Sequence, residues 1–320
     1  MRRRNLLIGS LTLSVLGLNH SPALAAVNQA ALKAAMDYGQ QKGAGSIRVV
    51  QNGTAVGTSG DQAANYQLKS ATKFLGGIIL VKSLDRVALG AKAINLFPDF
   101  ANQPTDSNTK ARRSLVTIEQ LATHTAGFDG GSPGYVAIVK APGSGFLYSN
   151  SGYNWLADTL TYVYRQDMAQ RFRDITGIGV SWRSNAYRTA TLYGVPRREF
   201  ASGVTTSVTT MARIGQFALG LNQSYFNTVR ASLRGKPVYS SDTPNASSHY
   251  GLGTWNNADG SITGVPQDAY WGWGLGDTII LVIPSLKLVV TRAGAAWQSG
   301  WSARYSVVAP FFQKIVAAVS

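Results

Sequence analysis

The sequence predicts an α/β fold of the α+β type: a sheet domain flanked by helices, with a mainly helical region inserted between its outer strands. Three observations carry that expectation. Strand signals sit near both ends of the 320-residue chain, helical spacings fill its middle, and no internal repeat, linker or low-complexity tract divides it. Hydrophobic residues make up 45% and charged residues 14%, which suits a full core and leaves too little polar sequence for disorder.

Taken in order, residues 1–26 read as an export signal. Arg2, Arg3 and Arg4 precede an apolar stretch over 6–18, and Ala23-Leu24-Ala25 has the small-x-small pattern of a cleavage site. That stretch is short for a membrane span, which needs ~20 residues. Arg3-Arg4-Asn5-Leu6-Leu7 also matches a twin-arginine signal. The expected mature protein is exported, periplasmic or secreted, with no transmembrane span. Residues 30–40 have helical spacing and stop near Gly43. Residues 47–50 and 54–57 predict a β-hairpin, because Asn52-Gly53 supplies the positive φ of a tight turn. The continuous apolar run 74–81 predicts a buried helix, and the polar stretch 103–113 a loop. Residues 118–124 predict a short helix closed by Gly127. Residues 153–168 and 206–221 predict two longer helices, the second ending near Gly220. Strands are expected over 250–253, 278–283 and 288–291, with Pro284-Ser285-Leu286-Lys287 turning between the last two, and a closing helix over 303–319. The sheet region is thus 27–68 with 235–320, and the helical region 69–234, with the site at their junction.

The formal charge is +15, and loss of residues 1–26 removes three arginines and no acid, leaving +12. Such a surface favours anionic partners such as cell-envelope polymers. In the mature part, however, basic residues cluster only as pairs, Arg112-Arg113 and Arg197-Arg198. Dispersed, solvated charge is the expectation, and no specific nucleic-acid binding.

The chemistry narrows quickly. There is no cysteine, so a cysteine nucleophile is excluded. Of three histidines, His20 lies in the signal segment. A catalytic zinc, which takes three protein ligands, would have to use His124, His249 and a carboxylate. A Ser-His-Asp triad could use only the same two imidazoles. Ser70-Ala71-Thr72-Lys73 needs neither, and no metal or cofactor is implied. Positions three apart share one face of a helix, so Lys73 reaches the Ser70 hydroxyl. At the head of a buried helix, the dipole and burial both disfavour a protonated Lys73. A neutral amine can then take the serine proton. Ser107-Asn108-Thr109-Lys110 repeats the pattern in the polar stretch, with no apolar helix after it, so context selects Ser70. Tyr148-Ser149-Asn150 supplies a phenol that can share base duty and an amide for a substrate carbonyl. Tyr225-Phe226-Asn227 repeats that pattern, but only the first copy follows a presenting loop, Pro142-Gly143-Ser144-Gly145, and precedes a helix.

With Leu121-Ala122-Thr123-His124-Thr125-Ala126-Gly127, Ala201-Ser202-Gly203 leading to Met211-Ala212-Arg213, and Tyr250-Gly251-Leu252-Gly253, these segments resemble class C β-lactamases in order and spacing. More broadly the chain resembles the β-lactamase-related serine hydrolases, which include D-amino-acid peptidases, penicillin-binding-protein-like members and family VIII carboxylesterases. The resemblance covers most of the mature chain. It implies a β-lactamase/transpeptidase-like fold, an antiparallel sheet flanked by helices with an all-helical insertion. It further implies Ser70 as the acylated nucleophile with its N–H in the oxyanion hole, Lys73 as activator, Tyr148 as general base and Asn150 as a substrate-orienting amide. It makes His124 structural. The chain departs from the family at the Lys-Thr-Gly strand. Tyr270-Trp271-Gly272-Trp273-Gly274-Leu275-Gly276-Asp277-Thr278 stands there, without lysine. The expected register puts Trp271 at the lysine position and Gly274 at the second oxyanion N–H, beside Gly272 and Trp273. A shift to Trp273 and Gly276 is the alternative. Glycines there are expected because substrate must approach the backbone closely.

A tryptophan offers apolar area where β-lactamases use a cation, so the expected activity is esterase-like, on neutral small-molecule esters or amides. β-Lactam or D,D-peptide hydrolysis is the alternative within the same chemistry, with Lys69 or an arginine replacing the missing charge. A non-turnover penicillin-binding or sensor-type module is the alternative outside it.

Overall fold

The computed structural model describes residues 26–102, 107–221, 249–299 and 304–320. The signal segment up to Ala25, the second Tyr-x-Asn at 225–227 and the boundary at 234/235 lie outside the described residues. Helix α1 (Gln29–Lys42) starts where the Asn28 side chain accepts from the Ala31 amide at 3.0 Å. Strands β1 (Gly45–Gln51) and β2 (Thr54–Ser59) form the expected hairpin, with Asn52 and Gly53 at φ 52° and 79°. Strand β3 (Tyr66–Gln67) leads into a 3₁₀ turn (Lys69–Ala71) and helix α2 (Thr72–Val81), in which every residue from Thr72 to Leu80 is buried.

Helices α3 (Ala93–Leu96), α4 (Ser107–Arg113), α5 (Ile118–Ala122), α6 (Asn150–Tyr164) and α7 (Met168–Thr176) follow. Short strands β4 (Ser181–Trp182), β5 (Thr191–Leu192), β6 (Val195–Pro196) and β7 (Val204–Thr206) precede helix α8 (Val208–Leu219). The chain ends through β8 (Tyr250–Gly251), β9 (Thr254–Asn256), β10 (Tyr270–Gly274), β11 (Thr278–Ile283), β12 (Leu288–Gly294) and helix α9 (Tyr305–Val319).

Among the described residues the main sheet has seven strands in the order β2-β1-β12-β11-β10-β9-β8, antiparallel throughout. The first and last segments of the chain therefore pair directly, β1 against β12. All six residues of β11 are buried, as befits a central strand covered on both faces. Helices α1 and α9 pack together on one face. Helix α8, though numbered within the inserted region, lies on the other face, where a Cβ on Gly215 would sit 2.5 Å from Val289 Cγ1.

Three expectations are corrected. The polar stretch 103–113 is helical in its described part from Ser107, because its polar residues are anchors. Arg113 is buried with its guanidinium over the rings of Trp155 (5.6 Å) and Phe100 (5.9 Å), and Thr109 Oγ1 accepts from the Ile138 amide at 3.1 Å. The helix expected over 153–168 is two. Arg165 leaves the helical region at φ 50°, stacked over Tyr162, and Asp167 starts α7 by accepting from the Ala169 amide. The strand expected over 250–253 reverses at Leu252 and Gly253 (φ 45° and 80°), since a Cβ on Gly253 would meet the Lys73 carbonyl oxygen at 2.2 Å. The β8–β9 turn is therefore pressed against α2.

Gly215→Val would force methyl groups into the α8–sheet contact. It is expected to lower stability by about 1–3 kcal/mol, read as a lower urea midpoint at unchanged slope, and an unchanged midpoint would contradict that close contact.

Candidate active site

Ser70 is half-buried at the head of α2, following Lys69, which holds the left-handed φ of 50°. Such a conformation strains a residue with a Cβ. Lys73 lies one turn on and is 1% exposed. Its Nζ is 3.2 Å from Ser70 Oγ, 2.8 Å from Asn150 Oδ1 and 2.9 Å from the Ala201 carbonyl oxygen. Burial pulls the amine down to about 7, against the Glu199 carboxylate, which raises it. The geometry says what a neutral Lys73 does. An –NH₂ group has two hydrogens and one lone pair. Asn150 Oδ1 and Ala201 O only accept, so they take both hydrogens, and the lone pair is left facing the Ser70 hydroxyl. The orientation of the Asn150 amide follows from its second bond, Nδ2 donating to the Gly131 carbonyl at 2.8 Å.

Tyr148 and Asn150 flank Ser149, which caps α6 by accepting from the Gly152 amide. The Lys73 Nζ sits 4.8 Å from the centre of the Tyr148 ring and 5.7 Å from that of Tyr153. The structure thus brings Ser70, Lys73, Tyr148 and Asn150 together. His124 organises this corner. Its Nδ1 accepts from the Ser149 amide at 3.1 Å, so the proton is on Nε2, which donates to Tyr250 Oη at 3.1 Å. Its ring packs 4.2 Å from that of Tyr148. Burial, then the charge of Lys73, keep its pKa well below the ordinary 6.5. Both nitrogens are occupied and neither meets a carboxylate. At His249, Asp259 Oδ2 (2.8 Å) and Ser261 Oγ (2.9 Å) share one nitrogen, Nε2. A relay needs acid and alcohol on opposite nitrogens, so among the described residues neither imidazole is part of a triad. Among the described residues no three His, Cys, Asp or Glu cluster as metal ligands. The second Ser-x-x-Lys, Ser107 and Lys110, is exposed on α4.

The Trp271–Gly274 strand is where expectation and structure part. Gly272 and Gly274 face the nucleophile turn. A Cβ on Gly274 would meet the Leu68 carbonyl oxygen at 2.1 Å and the Ala71 nitrogen at 3.2 Å, and one on Gly272 would meet Phe74 Cβ at 3.1 Å. These glycines let β10 lie against the serine turn itself, rather than make room for substrate. Side chains alternate along a strand, so Trp271 and Trp273 point the other way, and both are fully buried. Trp271 packs on Tyr305 and Phe312, 5.0 Å and 5.1 Å between ring centres, and Trp273 Nε1 donates to Asp277 Oδ1 at 3.0 Å. Neither indole lines the cleft, and no stacking on substrate follows from them.

Sequence reasoning missed the groups that hold this frame. The Ala201 carbonyl is main chain and carries no motif of its own. Asn154 Oδ1 fixes it by accepting from the Phe200 and Ala201 amides at 3.1 Å and 3.3 Å. The turn after β10 is clamped by buried Arg292, whose Nη1 donates to the carbonyls of Gly276 (2.6 Å) and Asp277 (3.2 Å) and whose Nη2 donates to those of Gly43 (2.7 Å) and Ala295. On the other side of that turn, Leu275 is 48% exposed, and Leu275, Gly276 and Lys69 line a groove of about 350 Å³ with Tyr66, Thr278 and Gln298.

The turn of Ser70, a buried lysine and a glycine strand meet at one place, and the family model described as Beta-lactamase matches residues 29–303. The chain belongs to the Beta-lactamase family. The fold is accordingly β-lactamase/transpeptidase-like, and hydrolysis is the reaction class typical of this family. A penicillin-binding protein homologue from Caulobacter crescentus superimposes with TM-score 0.67 at 15% identity over 92% of this chain and 99% of its own. EstA from Arthrobacter nitroguajacolicus Rue61a gives 0.63 at 14%, over 90% and 96%. EstCE1, described as a hydrolase with promiscuous acyltransferase activity, gives 0.61 at 14%, over 91% and 97%. At such identities the likeness is one of fold. No curated protein matches the sequence.

Gly274→Ala tests the contact on which this Beta-lactamase-family site is built. Backbone atoms cannot step aside for the added methyl, so a lower melting temperature and a displaced serine turn are expected. A variant with wild-type melting would contradict the contact.

Proposed function

We propose that the protein is an exported serine hydrolase that works through an acyl-enzyme and prefers neutral carboxylic esters. One observation carries the reading: Lys73 Nζ lies 3.2 Å from Ser70 Oγ while its other two partners, Asn150 Oδ1 and the Ala201 carbonyl, can only accept, so a neutral amine turns its lone pair to the Ser70 hydroxyl. Ser70 Oγ attacks the carbonyl carbon as its proton passes to Lys73 Nζ. The alkoxide leaving group takes that proton as the carbonyl re-forms, giving the acyl-enzyme. Water then adds to the acyl carbon, losing its proton to the Lys73–Tyr148 pair, and the acid departs as Ser70 regains its proton. The Ser70 amide, at the head of α2, is assigned to the oxyanion. Preference for neutral esters is supported by the absence of any cation on β10 and by the exposed apolar side chain of Leu275 at the rim. A second reading, β-lactam or D,D-peptide hydrolysis, is favoured by Lys69, a cation that precedes Ser70 in the chain and lines the groove under Leu275. Export is proposed on the Arg2-Arg3-Arg4, apolar and Ala-x-Ala succession alone.

Turnover of a short-chain nitrophenyl ester, compared with a chromogenic cephalosporin, tests the reading. Sustained ester turnover is expected, lost in Ser70→Ala and reduced about 10²–10⁴-fold in Lys73→Met, the usual range for a general base. A single stoichiometric burst would mark a sensor-type module, and strong cephalosporin turnover with negligible ester turnover the second reading. The pH dependence has a defined sign. The neutral amine is the active form and burial has brought it to about 7, so kcat/KM should climb as pH rises through about 7 and then level. A kcat/KM that does not change as pH crosses about 7 would remove Lys73 as the base.

A further inference from the structure

We propose that the buried carboxylate of Glu199 is a positioning residue that, through its ion pair with Arg183, sets how readily Lys73 exchanges its proton with Ser70. The inference rests on the reading of Ser70 and Lys73 as the reacting pair.

Glu199 is 1% exposed and fully engaged. One oxygen accepts from Ser202 Oγ at 2.6 Å and the other from Arg183 Nε at 2.6 Å, with Arg183 Nη2 2.5 Å away in the ion pair and itself donating to Ser202 Oγ at 2.9 Å. Its own carbonyl accepts from Trp182 Nε1 at 2.8 Å and from the Gly203 amide at 3.1 Å. Glu199 therefore anchors the segment 199–203, and two residues on in that segment the Ala201 carbonyl receives Lys73 Nζ. The carboxylate is held out of water between Ser202 and Arg183. Its partner is unlike it: the Arg183 side chain is 49% exposed. Water screens the guanidinium but not the carboxylate, so from Lys73 the pair has a net negative end.

The groups facing Lys73 can be named. Its own helix offers Ser70. Tyr148, Asn150 and Tyr153 face it from the start of α6, and His124, held neutral, from the turn after α5. The segment 199–203 brings Glu199, with Arg183 behind it. Glu199 is the group that favours the ammonium form, opposing the desolvation that favours the amine. A residue that must both take a proton from Ser70 and give it to the leaving group works best when the two forms are balanced near the working pH. Glu199 itself takes no proton in either step.

Two substitutions in the full-length protein test this, Glu199→Gln and Arg183→Gln. The readouts are the pH profile of nitrophenyl ester turnover and, independent of turnover, the carbon-13 titration of the Lys73 ε-carbon, assigned by its loss in Lys73→Arg. Without the carboxylate, the Lys73 midpoint and the acid limb should fall by roughly half a unit or more, as for loss of a nearby opposite charge. Without the guanidinium, both should rise. Opposite displacements are not what a loosened loop would give. Midpoints that stay put, or move together, overturn the proposal. Should Glu199→Gln fail to fold, the absence of an upward shift in Arg183→Gln overturns it alone. If the protein turns over no ester yet the Lys73 midpoint moves as stated, the coupling stands and the hydrolase reading falls.

Discussion

A lysine amine with almost no exposure to water is the constraint around which the other contacts are arranged. Burying a charged amine without partners is prohibitively unfavourable. The protein resolves this by lowering the charge and supplying acceptors. The amine's partners come from segments far apart in sequence: the Ser70 hydroxyl at the head of α2, and two acceptors, Asn150 Oδ1 at the start of α6 and the Ala201 carbonyl before β7. Satisfying one nitrogen thus draws three separate stretches of the inserted region together. The folded state and the reactive state of Lys73 depend on the same contacts.

The sheet supplies the other half of the frame. Strand β10 can lie against the serine turn because Gly272 and Gly274 have no side chains to hold it off. Its far end is pinned by Arg292, which spends four donors on main-chain carbonyls, and by Asp277, which accepts from Trp273, from the Trp297 amide at 2.8 Å and from Gln298. Burial lowers the Arg292 guanidinium to about 10, against the pull of Asp277, so it remains charged. On the opposite wall, His124 fixes the backbone between Tyr148 and Asn150 through one imidazole. A structural role for this histidine follows from where its two nitrogens go.

Much of this was legible before any coordinates. The hairpin at Asn52-Gly53, the buried helix after Ser70 and the Ser70–Lys73 face all follow from local rules of turn chemistry and helical periodicity. The two Ser-x-x-Lys copies also differ as their contexts imply: Lys73, followed by the apolar run, is buried, and Lys110 is exposed. What was not legible belongs to contacts between distant segments. Periodicity could not say which face of β10 meets the serine turn, so Trp271 and Trp273 were expected on the cleft side and are found in the core. The main-chain carbonyl of Ala201 leaves no trace in residue type. The helix break at Arg165 depends on an arginine stacked over Tyr162, which no propensity scale contains.

The central claim is that the Ser70 oxygen, with its proton drawn to Lys73, is where the acyl group resides. Its most direct measurement is mapping of the acylated residue. The protein is mixed with a nitrophenyl ester, quenched in acid within the first turnover, digested and sequenced by mass spectrometry. The account predicts one acyl group per chain, on Ser70, and none in Lys73→Met over the same interval. An acyl group found instead on Lys69 or Tyr148, or turnover with no acylated residue at all, would contradict it.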